Sequence, residues 1–441
     1  MDPPGSPAAR AATDAVPTRA EGAALLAALV ALQYLRAPQV LLGGRIWGEE
    51  GSYLQAALER SAASALVWCS DAVGYYVLPL NLAAVAAARL PLVAAPLVFS
   101  GAGALVLALP LALAALDPEW RTRRRLGLAA LVLLLCAPGA EIWLNLASAQ
   151  FVIALGAAIA LATSPDTRAA QALRLAYLGF AGLSGVASLL LAPLFALRAL
   201  LDRSRARAAE AAVLFACLAL QLALLAGAPE AGSRHRLGGL PLLAGIAASR
   251  QLLQLAVYPL DAFAGFGRVG LAAEILRAVQ QPGLQWLALA LAAGAFPLAL
   301  LWSAHRSGAR AAPWWIASAA LLLLGSLVAT RDPIPNLIHP VFASRYFYAP
   351  NALLLLALAE CLLRARGPLA RRAAAGALAW LLACGLLDFW RPEPFFFGRS
   401  DWYAEVRAWQ ADPTRPIAHA PTGWQIRGPV RPSLPRSGER P

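Results

Sequence analysis

The sequence predicts an all-α fold: a polytopic membrane protein of about eleven transmembrane segments with juxtamembrane helices on its outer face. Three observations carry this expectation. Hydrophobic residues make up 60% of the 441 positions, and the mean hydropathy is +0.61. Apolar runs of about 17–25 residues, the length that spans a bilayer as helix, recur along the chain. Between them lie short loops whose basic residues are all arginine: there is no Lys, and 37 Arg stand against 24 Asp and Glu, for a formal net charge of +13. Arginine beside apolar spans marks loops kept on the cytoplasmic side. Nucleic-acid binding is disfavoured, because no basic stretch is interleaved with aromatics in a soluble module.

The elements follow in order. Residues 1–21 are Pro/Ala-rich and are expected to be a disordered tail. The run from Gly22 imitates a secretory leader, but Arg36 follows it with no clear cleavage site, so it reads as a retained first helix. The apolar spans fall at 22–42, 97–116, 126–140, 146–163, 173–182, 184–200, 210–228, 284–302, 312–330, 346–363 and 373–390. The stretch 173–200 is too long for one simple span and too short for two full ones. Gly182-Leu183-Ser184-Gly185 at its middle predicts two short helices meeting in a turn, with one long tilted helix as the alternative.

Charge then sets the orientation. The basic loops 121–125, 203–207, 305–310 and 364–372 all fall inside only if 75–91 and 241–258 do not cross. The apolar part of the first is short and ends at Arg89-Leu90-Pro91, which suits an interfacial helix. The second carries Arg250, Gln251 and Gln254 and is expected on the outer surface. The membrane domain is therefore 22–390, with outer loops 43–96, 229–283 and 331–345. A short extracytoplasmic tail, 391–441, holds Trp402, Trp409 and Trp424. The N-terminus is cytoplasmic, and the function is expected at the outer face.

Within that frame, Trp47-Gly48-Glu49-Glu50-Gly51 stands out. Carboxylates at a membrane surface are costly unless solvated or paired, which invites a functional reading; capping of an interfacial helix is the alternative. Leu54, Ala57, Leu58 and Ala65 keep helical spacing, so the glutamates begin an amphipathic helix. Neighbouring side chains on a helix point about 100° apart, so the two are not expected to address one atom. Glu141, Asn145, Ser148 and Gln150 gather between two spans, as a polar pocket or as a hydrogen-bonded helix contact. Arg345 enters a helix beside Tyr346, Phe347 and Tyr348, as a phosphate ligand or as an interfacial anchor.

Other patterns carry less. Gly265-Phe266-Gly267-Arg268-Val269-Gly270 fits the dinucleotide glycine pattern, but Tyr258-Pro259-Leu260-Asp261 precedes it and a span soon follows, so the βαβ context is missing. The four histidines lack metal-ligand spacing. Cys69, Cys136, Cys217, Cys361 and Cys384 form no CxxC pair, and neither a disulfide framework nor a zinc site is inferred.

In layout the chain resembles the GT-C superfamily of membrane glycosyltransferases, in particular its uncharacterised bacterial multi-span branch. An acidic pair right after the first helix occupies the place of Glu49-Glu50, and 53–66 and 77–90 would be the juxtamembrane helices. Further matching pieces are Gly74-Tyr75-Tyr76 with Leu78-Pro79, Asn145-Leu146-Ala147-Ser148-Ala149-Gln150, Leu183-Ser184-Gly185, Arg345-Tyr346-Phe347-Tyr348 with Pro350, and Pro421-Thr422-Gly423-Trp424. Two departures stand out: the pair is Glu-Glu where at least one Asp is usual, and no large soluble C-terminal domain follows.

The resemblance implies transfer of a sugar from a polyprenyl-phosphate donor to an acceptor at the outer face of the bacterial cytoplasmic membrane. Glu50 or Glu49 would be the general base and Arg345 the lipid-phosphate ligand. Asn145, Gln150, Trp47 and Tyr348 would bind substrate. No cofactor is identified, metal dependence stays open, and the expected partners are membrane lipid, the lipid-linked sugar and an unnamed acceptor. A transporter or flippase of a lipid-linked glycan, or a non-catalytic scaffold, is the alternative. A transporter should show inverted repeats and mid-membrane charge, and neither is evident.

Overall fold

The structure, a computed structural model, describes residues 15–70, 74–227, 239–260, 268–280, 285–330, 334–391, 396 and 401–426. Asp71, Gly265-Phe266-Gly267 and Arg331-Asp332-Pro333 lie outside these, as do residues 1–14 and 427–441.

The chain is all-α apart from one hairpin. Its principal helices are α1 (Arg19–Arg36), α2 (Gly48–Glu59), α3 (Ala62–Leu66), α4 (Leu78–Ala87), α5 (Ala95–Ala114), α6 (Arg123–Leu135), α7 (Ala149–Ala162), α8 (Arg168–Gly182), α9 (Ala192–Asp202), α10 (Arg205–Ala226), α11 (Leu240–Ala247), α12 (Arg268–Gln280), α13 (Gln285–Ser307), α14 (Ala312–Ala329), α15 (Arg345–Arg364), α16 (Pro368–Trp390) and α17 (Trp402–Ala411). The hairpin pairs β1 (Ile417–His419) with β2 (Trp424–Ile426), antiparallel, with Ile417 opposite Ile426.

Helices start where the sequence supplies caps. Thr18 and Glu21 cap α1 reciprocally: Glu21 N donates to Thr18 Oγ1 at 3.2 Å, and Thr18 N donates to the Glu21 carboxylate at 2.7 Å. Thr122, Thr167 and Ser204 accept from the first turns of α6, α8 and α10 in the same way. Such caps satisfy amides that the helix itself leaves open.

Among the described residues, five helical stretches are long and apolar enough to cross a membrane: Leu92–Ala114, Arg205–Ala226, Gln285–Ser307, Arg345–Arg364 and Pro368–Trp390. The chain is an integral membrane protein on that ground. The described residues do not confirm the expected count of eleven. The stretches expected at 126–140, 173–182 and 184–200 form helices of 13, 15 and 11 residues, too short to cross alone. The two-helix reading of 173–200 fits: α8 ends at Gly182, and the chain turns before α9.

The core is built around α7 and α15. Val152 to Leu161 of α7 are all buried, and α15 is buried from Phe347 to Cys361. Both are rich in Ala and Leu, so their backbones pack closely. α14 packs most closely on α15, and α5 on α7.

The segment 241–258, expected on the outer surface, packs several of its polar side chains into the protein. Ser249, Arg250 and Gln254 are buried: Ser249 and Arg250 serve the backbone of the chain after α14, and Gln254 accepts from Arg250 Nη1 at 3.2 Å. Arg250 donates to the carbonyls of His339 and, at 3.0 Å, Phe342, with its guanidinium 4.4 Å from the Phe347 ring. Ser249 Oγ donates to Ile338 O at 2.8 Å. These polar side chains satisfy carbonyls that lack helical partners, and so hold the approach to Arg345.

The basic loops gather at one end of the bundle. Arg123 pairs with Glu21 at 2.9 Å, Arg121 with Asp166 at 2.9 Å, and both Arg125 and Arg364 reach Glu119. At α15's far end, Glu360 accepts from Ala311 N at 3.3 Å and Ala312 N at 2.6 Å, capping α14. Arg345, at the other end of α15, faces a cavity.

Candidate active site

Five of the short motifs singled out in the sequence meet around a cavity of about 570 Å³. Its walls take Trp47, Gly48, Glu49 and Tyr53 from the start of α2, and Tyr75 from the loop before α4. The turn before α7 and its first residues add Glu141, Ser148 and Gln150; Arg345 and Tyr346 open α15; Pro421 and Trp424 come from the hairpin.

The hairpin is stitched to the α2 entry. Gly48 N donates to Ala420 O at 2.6 Å, and Ala420 N donates to Ile46 O at 3.1 Å. His419 lies on Gly51, where a Cβ would run into the imidazole, so only glycine admits this approach. Burial lowers the His419 pKa below its ordinary value, more than hydrogen bonding to backbone raises it. Beneath, buried Arg45 donates to Phe396 O at 2.9 Å, Trp143 O at 3.1 Å and Leu144 O at 2.9 Å. The polar tail of the chain thus braces the first loop.

The two glutamates part company. Glu50 is 1% exposed and spends both carboxylate oxygens on backbone: Oε2 accepts from Trp47 N and Oε1 from Leu146 N, each at 2.8 Å. It caps α2 and ties that helix to the turn before α7. Burial pushes its pKa up to about 7, against the opposing pull of Arg45 and the two amides. Glu50 does not line the cavity, so the expectation that it acts as base does not fit its surroundings. Glu49, half-buried, does line it, and no hydrogen bond or ion pair holds its carboxylate among the described residues. The one-residue offset turns the two side chains to different neighbours, as helical geometry requires.

Arg345 lines the cavity with 29% of its side chain exposed. Its backbone N donates to Glu141 Oε2 at 3.1 Å, its guanidinium pairs with Glu141 Oε1, and Nη2 donates to Tyr346 Oη at 3.0 Å. Ser344 Oγ also donates to Glu141, at 3.3 Å. Glu141, 3% exposed, therefore fixes the start of α15 and the aim of the arginine.

Gln150 lines the cavity and donates from Nε2 to Tyr75 Oη at 2.9 Å. Gly185, at φ +105°, lets Gln150 pack directly on the turn between α8 and α9. Trp47 lines the cavity with its ring 5.4 Å from that of Phe396. Two other expected binders do not reach it. Asn145 uses its side chain locally, donating to Glu141 O at 2.9 Å and Ser148 Oγ at 3.3 Å and accepting from Ala147 N at 3.0 Å. Tyr348 is fully buried, and its hydroxyl donates to Leu133 O at 2.6 Å. Two residues along a helix is roughly a half-turn, so Tyr346 faces the cavity where Tyr348 faces the core.

Tyr53 escaped sequence reasoning. It stands one turn after Glu49, the i, i+4 spacing that puts both on one helix face. Among the described residues, no group of three or more His, Cys, Asp or Glu sits close enough to hold a metal ion.

No family model matches the chain, and no curated protein matches it. Among solved structures, the chain is similar to ArnT from Cupriavidus metallidurans bound to undecaprenyl phosphate, with 16% identity and a TM-score of 0.38 over 90% of this chain and 80% of that one. It is similar to the same protein in the apo state with 17% identity and a TM-score of 0.35, over 90% of this chain and 81% of that one.

Proposed function

We propose that this chain is a membrane glycosyltransferase that moves a sugar from a polyprenyl-phosphate donor to an acceptor hydroxyl at the outer face of the bacterial cytoplasmic membrane. The observation that carries the reading is one cavity lined by Glu49, a carboxylate without a partner among the described residues, and by Arg345, an arginine aimed by Glu141. Aromatic walls at Trp47, Tyr346 and Trp424 suit the flat faces of a sugar ring. The resemblance of the short motifs to the superfamily points the same way.

In the reaction, Glu49 takes the proton of the acceptor hydroxyl as its oxygen bonds to the sugar's anomeric carbon. The bond from that carbon to the phosphate oxygen breaks, and its electron pair leaves with the polyprenyl phosphate. Arg345 offsets the charge that grows on the departing phosphate, and its planar fork suits two phosphate oxygens. Glu50 holds the α2 start in place and makes no contact with substrate.

The test is mass spectrometry of lipids that co-purify with the full chain, combined with turnover of the purified protein in lipid. Wild type is expected to carry polyprenyl phosphate, and Glu49→Gln to accumulate the glycosylated form. Glu49→Gln should lower turnover by about 10²–10⁴-fold at unchanged melting temperature. Absence of polyprenyl phosphate from both proteins, or full turnover in Glu49→Gln, overturns the reading.

A further inference from the structure

Beyond the base and the phosphate ligand, one residue that lines the cavity carries a buried hydroxyl with no hydrogen-bond partner among the described residues. That residue is Tyr53, 1% exposed, whose hydroxyl finds no donor or acceptor among the described residues. Buried polar groups in proteins are nearly always satisfied, so an unsatisfied one calls for a reason. Other buried side-chain atoms without partners occur among the described residues, including Trp143 Nε1, Trp315 Nε1 and Ser318 Oγ. Of all of these, only Tyr53 belongs to a residue that lines the cavity.

Its surroundings narrow the ligand. The ring packs edge-on against Trp68 at 4.9 Å, which fixes the side chain's direction. Tyr75 and Glu49 both lie within electrostatic reach of the hydroxyl, and burial raises its pKa well above the ordinary tyrosine value. The group stays protonated and is a hydrogen-bond donor rather than a base. Tyr75 in turn accepts from Gln150, which Gly185 seats at the cavity wall. Two phenols and one amide thus share a wall with Glu49. That set has donors and acceptors but no cation, so it suits a neutral polyol better than a phosphate.

We propose that Tyr53, Tyr75 and Gln150 form the subsite for the hydroxyl groups of the transferred sugar, with Tyr53 Oη donating to one of its oxygens. The inference rests on the proposed transferase reading and names a part of the site that this reading leaves open. It divides the cavity into two chemical halves. Arg345 with Glu141 takes the phosphate, and the Tyr53 wall takes the sugar beside the Glu49 base.

The experiment compares Tyr53→Phe with wild type, both as full chains in lipid nanodiscs. The probes are undecaprenyl phosphate and undecaprenyl phosphate carrying glucose, mannose or galactose. Wild type is expected to bind at least one glycosylated lipid more tightly than the bare one. Tyr53→Phe should lose about tenfold in affinity for that lipid, as expected for removing one buried hydrogen bond to a ligand. It should bind the bare lipid as wild type does and melt at or above the wild-type temperature. If Tyr53→Phe does not fold, Tyr75→Phe carries the same comparison.

Wild type binding bare lipid but no glycosylated lipid more tightly overturns the subsite and leaves the phosphate half standing. Equal loss for bare and glycosylated lipid, or no loss for either, also overturns it. Wild type binding none of the probes removes the transferase reading and the subsite with it.

Discussion

The two ends of the helical bundle both bury charge, and they treat it differently. At the arginine-rich end, Arg174 and Arg207 converge on Glu210, at 3.0 and 2.9 Å, with all three side chains almost wholly buried. The same arginines donate to carbonyls at the C-terminal end of α7: Arg207 to Ala160 O at 3.3 Å, and Arg174 to the O of Thr163, which caps the helix, at 2.9 Å. Cations there complete a helix C-terminus, where carbonyls lack partners and the dipole is negative. At the cavity end, Glu141 aims Arg345 while Glu49 has no partner among the described residues. A closed ionic cluster holds helices together. A carboxylate left open beside a cavity holds no helices together and is kept for what it contacts.

The largest test of that contrast is Glu210→Ala. It leaves two buried arginines facing each other and should cost about 3–5 kcal/mol of stability, read by thermal or denaturant unfolding in detergent. Protein that remains folded should bind undecaprenyl phosphate as wild type does. A loss under about 1 kcal/mol, the usual size for an exposed pair, would erase the distinction between the two ends.

Glu50 sharpens the contrast inside the site. Its folded pKa, about 7, lies above the ordinary 4.5, so the folded state holds the proton more tightly than the unfolded chain. Its stabilisation is therefore complete below about pH 4.5 and is lost as pH rises through 7, by at most about 3 kcal/mol. Melting scans from pH 5 to pH 8 should show wild type losing stability relative to Glu50→Gln. Parallel curves would mean that Glu50 stays ionised in the fold.

A smaller effect is expected for Arg345→Lys, which keeps the charge and loses the fork. Binding of undecaprenyl phosphate should weaken by about tenfold, roughly 1.4 kcal/mol, with little change in melting temperature. Unchanged binding would make Arg345 an interfacial anchor. The smallest is Tyr348→Phe, which removes one neutral hydrogen bond to Leu133 O and should cost about 1 kcal/mol of stability with no change in lipid binding. A binding defect without a stability loss would return Tyr348 to the site.

Much of this was legible along the chain. The apolar runs and the arginine loops named the fold class, and the glycines at 182 and 185 marked the break between α8 and α9. Glu49, Trp47, Gln150 and Arg345 were picked out by residue type at the ends of apolar runs, and all line the cavity. Three others that were picked out, Glu50, Asn145 and Tyr348, do not line it, for one shared reason. Glu49 or Glu50, Tyr346 or Tyr348, and Asn145 or Gln150 are choices between residues of like chemistry one to five positions apart. Composition cannot separate them, because the choice depends on which way each side chain turns. Burial of 241–258 was hidden for a related reason: Arg250 reads as solvent-seeking unless the carbonyls of His339 and Phe342 are known to need it.

Sequence by itself determined that this chain folds as membrane helices, since hydropathy and helix length answer to the bilayer alone. It also determined that acidic, amide and arginine side chains fall at helix ends, because positions inside an apolar run are closed to them. Only the tertiary structure decided which of them face one another. The C-terminal hairpin lies hundreds of residues from Gly48, and it is their pairing that walls the cavity. Contacts between such distant segments are set by packing and by the demand that each buried amide find a carbonyl or carboxylate. That demand took Glu50 into the framework and left Glu49 at the cavity.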